Sequence, residues 1–125
     1  MSGEVVKKKI LVVDDDRLTV TLVSKALEEM GFEVLVAGDG QEALAIIKGT
    51  MVDLIVLDMM MPKMDGIKTC GLIKADRRYR NIPVIMFTDS ADDFGKKICE
   101  QVGANDFCNK PLGIPALKQK ILDLI

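Results

Sequence analysis

Histidine and tryptophan are both absent from the 125 residues of this chain. Without histidine the chain cannot use an imidazole as a general acid or base, and it cannot itself carry a phosphohistidine. Any histidine that takes part in its chemistry must therefore be supplied by a partner.

Cysteine is scarce, and the three residues, Cys70, Cys99 and Cys108, are far apart and form no Cys-x-x-Cys pair. This usage predicts reduced, buried thiols in a cytoplasmic protein. No apolar run approaches the roughly 18 residues of a transmembrane helix, and residues 1–9 lack a signal-peptide core. The formal net charge of -2 provides no basic field for nucleic acid or an anionic membrane. We therefore expect neither as a partner.

Apolar residues are plentiful and make up 49% of the sequence. At this length they suffice for one domain, residues 1–125, with a core from about residue 8 onward and no output domain. Short apolar runs alternate with amphipathic segments five times. The runs are residues 10–13, 32–37, 54–57, 82–87 and 106–109. This alternation predicts an α/β fold, a doubly wound five-stranded parallel sheet with five helices.

The first helical segment follows residues 14–16, and Asp16 is its expected N-cap. Its predicted apolar face comprises Leu18, Leu22, Ala26, Leu27 and Met30, with Gly31 as the stop. The polar residues 88–90 are expected to cap a fourth helix that runs to residue 102.

Polar side chains directly follow four of the five apolar runs. They are Asp14 and Asp15 after the first run, Asp58 after the third, Thr88 after the fourth and Lys110 after the fifth. In the flavodoxin-like strand order 2-1-3-4-5, which is adopted from known folds, the first and third strands are neighbours. These side chains would then converge on one cleft at the carboxyl ends of the strands.

A cluster of three carboxylates needs compensation. Two unit charges about 4 Å apart repel by roughly 4 kcal/mol at an effective dielectric constant of about 20. Mg²⁺ would relieve this repulsion, because it prefers oxygen ligands. The cation, the Lys110 amine and the Thr88 hydroxyl would together face a tetrahedral anion, as phosphoryl transfer requires. Asp58 can then be the nucleophile and form an acyl phosphate.

Over essentially its full length the chain resembles the response-regulator receiver domain of two-component systems, of the chemotaxis type. The matching positions are Asp14-Asp15, Asp58 with Pro62, Asp65-Gly66, Thr88, Gly103-Ala104 and Lys110-Pro111. Each motif alone is weak, but the ordered set after the expected strands is highly specific. The resemblance implies that Asp58 takes a phosphoryl group from a phosphohistidine on a sensor histidine kinase or phosphotransfer protein.

The resemblance also implies the metal ligands. Asp15 and Asp58 would bind Mg²⁺ through their carboxylates, Asp14 would bind it largely through water, and Met60 would use its backbone carbonyl. The apolar Met60 side chain cannot orient an attacking water. We therefore expect the lifetime of the phosphoryl group to differ from that in receivers with a polar residue at this position.

The remaining implied roles concern the switch. Thr88 and Lys110 would bind phosphoryl oxygens, and Phe107 would turn inward as Thr88 moves, although Phe107 is equally well explained as a fixed core aromatic. The Lys110–Pro111 bond would be cis. Such a receiver would be a stand-alone monomer that presents its fourth helix, fifth strand and fifth helix to a downstream protein. It would catalyse at most its own phosphorylation and dephosphorylation.

Asp89 departs from the family pattern, in which the residue after the threonine is usually small. It either helps to cap the fourth helix or adds a negative charge that slows phosphorylation. In the second case Asp89→Ala would speed phosphorylation by a small-molecule donor.

Two other functions compete with the receiver interpretation. Residues 12–18 resemble the Asp-x-Asp signature of a small haloacid-dehalogenase-like phosphotransferase with Asp14 as nucleophile. The chain is short for that family and has only Asp89 as a nearby carboxylate before Asp92-Asp93. A flavin-binding flavodoxin-like protein is disfavoured, because no hydroxyl- and glycine-rich loop follows the first strand and aromatic residues make up only 4%.

Overall fold

The computed structural model describes residues 6–89, 92–110 and 113–125. In this part of the chain, strands and helices alternate throughout. The elements are β1 (Lys9–Val13), α1 (Arg17–Glu29), β2 (Glu33–Ala37), α2 (Gly40–Gly49), β3 (Leu54–Leu57), α3 (Gly66–Ala75), β4 (Val84–Thr88), α4 (Asp93–Gln101), β5 (Asp106–Asn109) and α5 (Gly113–Leu124). The predicted α/β fold is confirmed. Among the described residues, no helix is both long enough and apolar enough to cross a membrane.

The sheet has the order β2-β1-β3-β4-β5, and every pairing is parallel, as predicted. Val13 at the end of β1 lies opposite Leu57 at the end of β3, so the residues that follow these strands emerge side by side. Thr88 likewise lies opposite Asn109, the residue before Lys110. The register therefore gathers the polar strand ends at one edge of the sheet.

Strand β3 lies inside the sheet, and all four of its residues are buried. Leu54 and Val56 belong to one core cluster, and Ile55 and Leu57 belong to the cluster on the opposite face. This alternation follows from the two-residue repeat of a strand. Burying an aliphatic side chain contributes about 1.5–3 kcal/mol. The strand that leads to Asp58 is therefore firmly held on both faces.

The predicted core face of α1 is wrong in part. Leu18 and Leu22 are 66% and 50% exposed, whereas Val23 and Leu27 are buried. At 3.6 residues per turn, Leu18 lies on the side of the helix opposite Leu27. The predicted cap is correct, because the Asp16 side chain accepts a hydrogen bond from the Leu18 N–H.

The predicted start of α4 is also wrong. Asp92 is the N-cap, and its carboxylate accepts a hydrogen bond of 2.6 Å from the Gly95 N–H. Thr88 is the last residue of β4. Asp89 precedes the cap by three residues, and residues 90 and 91 lie outside the described part of the chain. Neither Thr88 nor Asp89 caps the helix.

Candidate functional site: an acidic cleft at the carboxyl edge of the sheet

The structure brings three carboxylates together at the ends of β1 and β3. Oxygen atoms of Asp14, Asp15 and Asp58 all lie within 4.8 Å of one another. The backbone hydrogen bonding between β1 and β3 continues to Asp58, whose N–H donates to the Val13 carbonyl oxygen at 2.9 Å. The close approach of the carboxylates is therefore a consequence of strand order and register.

The Asp14 side chain is buried and already has partners at both oxygens. Oδ1 accepts a hydrogen bond of 2.9 Å from the Asp16 N–H, and Oδ2 lies 2.9 Å from the Lys110 Nζ. Asp15, in contrast, is exposed. Asp15 is thus better placed than Asp14 for direct metal contact, which is compatible with a water-mediated role for Asp14.

Asp58 is buried, and its charge is incompletely compensated. Burial, together with the negative charge of Asp14, raises the pKa of the Asp58 carboxyl group above its ordinary value. The Lys110 charge, a hydrogen bond from the Thr88 hydroxyl and one from the Met60 N–H oppose this rise. The Lys110 Nζ lies 3.5 Å from Asp58 Oδ2, and the Met60 N lies 3.5 Å from Oδ1. A cation beside Asp58 would therefore stabilise the ionised carboxylate.

Lys110 remains a cation at neutral pH. Burial alone would lower its pKa, but the hydrogen bond to Asp14 and the charges of Asp58, Asp14 and Asp89 outweigh burial and raise it. Only 14% of the Lys110 side chain is exposed. Its ammonium group can thus supply a fixed positive charge to an anion bound at Asp58.

The carboxylates fit a Mg²⁺ ion. In octahedral coordination at about 2.1 Å, adjacent ligand oxygens are about 3.0 Å apart and opposite ones about 4.2 Å apart. The three carboxylates have oxygens within 4.8 Å of one another, so they can approach a single ion after side-chain adjustment. The Met60 side chain is 63% exposed beside the cluster. The role of its carbonyl as a ligand remains a prediction.

The loop from Asp58 to α3 depends on a close backbone approach at Gly66. The Gly66 N–H donates to the Met59 carbonyl oxygen at 2.9 Å. A Cβ atom at Gly66 would collide with the backbone oxygen of Asp58. Lys63 in the same loop has a positive φ of 64°. In the sequence Gly66 is recognisable only as a motif residue, and the strain at Lys63 leaves no signal there, because lysine has no preference for this conformation.

The two residues predicted to form the switch lie on the α4 side of the sheet. Thr88 is buried and engages Asp58, and Phe107 is half-buried against the core cluster that contains Met86 and Cys99. Inward rotation of Phe107 remains a prediction. Pro111 lies outside the described residues, and so does the predicted cis bond that precedes it.

A doubly wound sheet whose strand ends unite three aspartates, a threonine and a lysine defines a class of signalling domain that is phosphorylated on aspartate. Residues 10–122 match the family described as the response regulator receiver domain, and the chain belongs to this family. The resemblance stated above is confirmed. Receiver domains act in two-component signalling rather than as metabolic enzymes, and they use Mg²⁺ at an acidic pocket.

Similar proteins include full-length regulators and single receivers. The alkaline phosphatase synthesis transcriptional regulatory protein PhoP of Bacillus subtilis is 42% identical over 83% of this chain and 42% of its own length. The transcriptional regulatory protein CpxR of Escherichia coli is 41% identical over 90% of this chain and 47% of its own length. This chain thus spans about half the length of these curated relatives.

Among solved structures, the chemotaxis protein CheY4 of Vibrio cholerae has a TM-score of 0.90 and 30% identity. The alignment covers 96% of this chain and all of CheY4. The haloacid-dehalogenase alternative is not favoured, because the family match covers nearly the whole chain and Asp14 is buried and paired with Lys110.

Proposed function

We propose that Asp58 is the phosphoacceptor of a Mg²⁺-dependent receiver and that its phosphorylation switches the face formed by α4, β5 and α5. The observation that carries this proposal is the buried Asp58 carboxylate, which lies 3.5 Å from the Lys110 ammonium group within a cluster of three carboxylates. Three carboxylates that lie close together repel one another, so a folded domain that keeps them together indicates a functional site.

The proposed reaction is an in-line displacement at phosphorus. An Asp58 oxygen attacks, the bond from phosphorus to the donor breaks, and its electron pair leaves with the donor atom. Lys110 neutralises charge on the transferred group, and the bound Mg²⁺ would supply further positive charge there. The Thr88 hydroxyl, which donates a hydrogen bond to Asp58, would turn to a phosphoryl oxygen, and this existing contact supports the proposed role.

The donor we propose is a phosphohistidine on a sensor histidine kinase or phosphotransfer protein, since this chain contains no histidine. The relatives named above are transcriptional regulators by name, and for this chain the downstream target is a protein that recognises the switched face. Stand-alone action, a monomeric state, a cytoplasmic location and the lack of direct contact with nucleic acid or membrane remain predictions.

The test is to incubate the protein with Mg²⁺ and acetyl phosphate and to map the base-labile adduct by mass spectrometry. We expect one phosphoryl group on Asp58, none after chelation of the metal, and none in Asp58→Asn. Asp123→Asn, an exposed carboxylate near the end of α5, is the matched control and should be modified as in the wild type. An adduct on Asp14 would support the phosphotransferase instead, and no adduct at all would overturn the proposal.

A further inference from the structure

Helix α4 has few anchors to the body of the protein. Of its nine residues, only Gly95 and Cys99 are buried. Phe94 is 72% exposed, and most of the remaining residues are charged or polar. A helix with so little buried surface is easily displaced, because the free energy that holds it comes mainly from burial. The position of α4 therefore depends strongly on what Cys99 contacts.

The Cys99 thiol contacts the residue that follows the phosphoacceptor. Its Sγ lies 3.7 Å from the Met59 Sδ, and both side chains are buried. The Met59 carbonyl oxygen in turn accepts the hydrogen bond from the Gly66 N–H. Met59 is thus held by α3 through its backbone and by α4 through its side chain. Displacement of α4 must either pull on Met59 or open a void in a close-packed core.

We infer that Cys99 is a positioning residue for Asp58, which acts through Met59 and couples the position of α4 to Mg²⁺ binding and phosphorylation. The inference rests on the proposed function and adds the route by which α4 and the acidic cleft influence each other. Because such coupling is reciprocal, a ligand that holds α4 must change the affinity of the cleft for Mg²⁺, and Mg²⁺ with a phosphoryl group must change the packing around Cys99.

Cys70 provides a matched control within the same core cluster. It is as deeply buried as Cys99, and its thiol also contacts α4, 3.7 Å from the carbonyl oxygen of the C-cap residue Val102, but it does not make the contact with Met59. If Cys99 merely fills space, Cys99→Ala and Cys70→Ala should have the same consequences. If Cys99 positions Asp58, only Cys99→Ala should alter the cleft.

The first experiment measures Mg²⁺ affinity by calorimetry, and stability by urea unfolding, in both alanine variants. We expect Cys99→Ala to weaken Mg²⁺ binding about 3- to 10-fold. Loss of a residue that hydrogen-bonds directly to a metal ligand typically weakens binding about 10- to 100-fold, and Cys99 acts less directly, through Met59. Cys70→Ala should stay within about twofold of the wild type at a similar loss of stability. Equal Mg²⁺ affinities in the two variants would overturn the inference.

The second experiment uses the wild-type protein and therefore does not depend on the folding of a variant. Burial raises the pKa of the Cys99 thiol to about 11, so alkylation by iodoacetamide is slow unless the thiol is uncovered. With Mg²⁺ and acetyl phosphate present, we expect the labelling rate of Cys99, followed by mass spectrometry, to rise at least about threefold if α4 shifts. Cys108, which lies in the cluster on the other face of the sheet, should be unaffected.

The outcomes separate this inference from the proposed function. If Asp58 becomes phosphorylated but the labelling of Cys99 changes no more than that of Cys108, the coupling is wrong and the proposed function stands. If the wild type neither binds Mg²⁺ nor accepts a phosphoryl group, both are overturned.

Discussion

At the scale of single residues, the charge next to the cleft is the feature that distinguishes this receiver. Lys110 is the cation at the site, and the carboxylates that raise its pKa include Asp89 as well as Asp14 and Asp58. Asp89 is exposed, and the helix that it was expected to cap is capped by Asp92. Within the described part of the chain, Asp89 thus has no capping role in α4, whereas its charge acts on Lys110.

Asp89→Ala and Asp89→Asn are predicted to speed phosphorylation of Asp58 by acetyl phosphate, because each removes a negative charge that repels the anionic donor. We expect an increase of about two- to fivefold at low ionic strength, and a smaller one near 0.5 M salt, where exposed charges are screened. The measurement is the initial rate of phosphorylation with saturating Mg²⁺. An increase in the alanine variant alone would assign the effect to size, and unchanged rates in both variants would contradict the prediction.

At the scale of elements, the loop between β3 and α3 depends on one glycine. Gly66→Ala would place a Cβ atom against the backbone oxygen of Asp58, so the loop or the helix must move. We expect a loss of stability of about 1–3 kcal/mol, as for other overpacked sites, together with weaker Mg²⁺ binding. Urea unfolding and calorimetry measure the two effects.

Gly71 in the same helix is the control for Gly66. A Cβ atom at Gly71 would meet nothing within 4 Å. Gly71→Ala should therefore stabilise the protein by about 0.5–1 kcal/mol, since alanine is the better helix former, and should leave Mg²⁺ affinity unchanged. If the two variants change in stability and Mg²⁺ affinity to a similar extent, the close backbone approach at Gly66 does not determine either quantity.

The same loop contains a strained residue. Lys63 has a φ of 64°, the Met64 N–H donates to the Pro62 carbonyl oxygen at 2.7 Å, and the Lys63 Nζ lies 3.8 Å from Asp39 Oδ2. We predict that Lys63→Gly is about 1 kcal/mol more stable than Lys63→Ala, because only glycine adopts this conformation without a steric penalty. Both variants lose the ion pair, so thermal unfolding of the two isolates the backbone effect. Equal stabilities would contradict it.

At the scale of the whole molecule, the five strands and the polar residues at their ends could be predicted, because each βα unit carries its own local signal, whereas the strand order was adopted from known folds. The buried run Leu54–Leu57, for example, identifies β3 without reference to any other element. Details set by tertiary contacts could not be predicted. Thr88 is the last residue of β4, and Asp92 rather than Thr88 caps α4. The contact between Met59 and Cys99 joins residues 40 positions apart and leaves no periodic signal in the sequence.

The free energy of unfolding of the whole domain should depend on whether Asp58 in the cleft is charged. The pKa of Asp58 is raised in the folded state, so protonated Asp58 favours folding at low pH, and this contribution is lost as the pH rises through the raised value. At pH 7 without metal, Asp58→Asn should therefore be more stable than the wild type, and the difference should shrink as the pH falls toward the ordinary carboxyl range.

Addition of Mg²⁺ should reverse the order of stability and make the wild type more stable than Asp58→Asn. A ligand at a concentration 100 times its dissociation constant stabilises the state that binds it by about 2.7 kcal/mol. The wild type should gain this much on addition of Mg²⁺, whereas Asp58→Asn, which lacks one of the three carboxylates, should gain much less. Urea unfolding at pH 7, with and without Mg²⁺ at matched ionic strength, measures both effects. Equal stabilisation of the two proteins would show that the ion does not bind at Asp58, and the electrostatic account of the cleft would then fail.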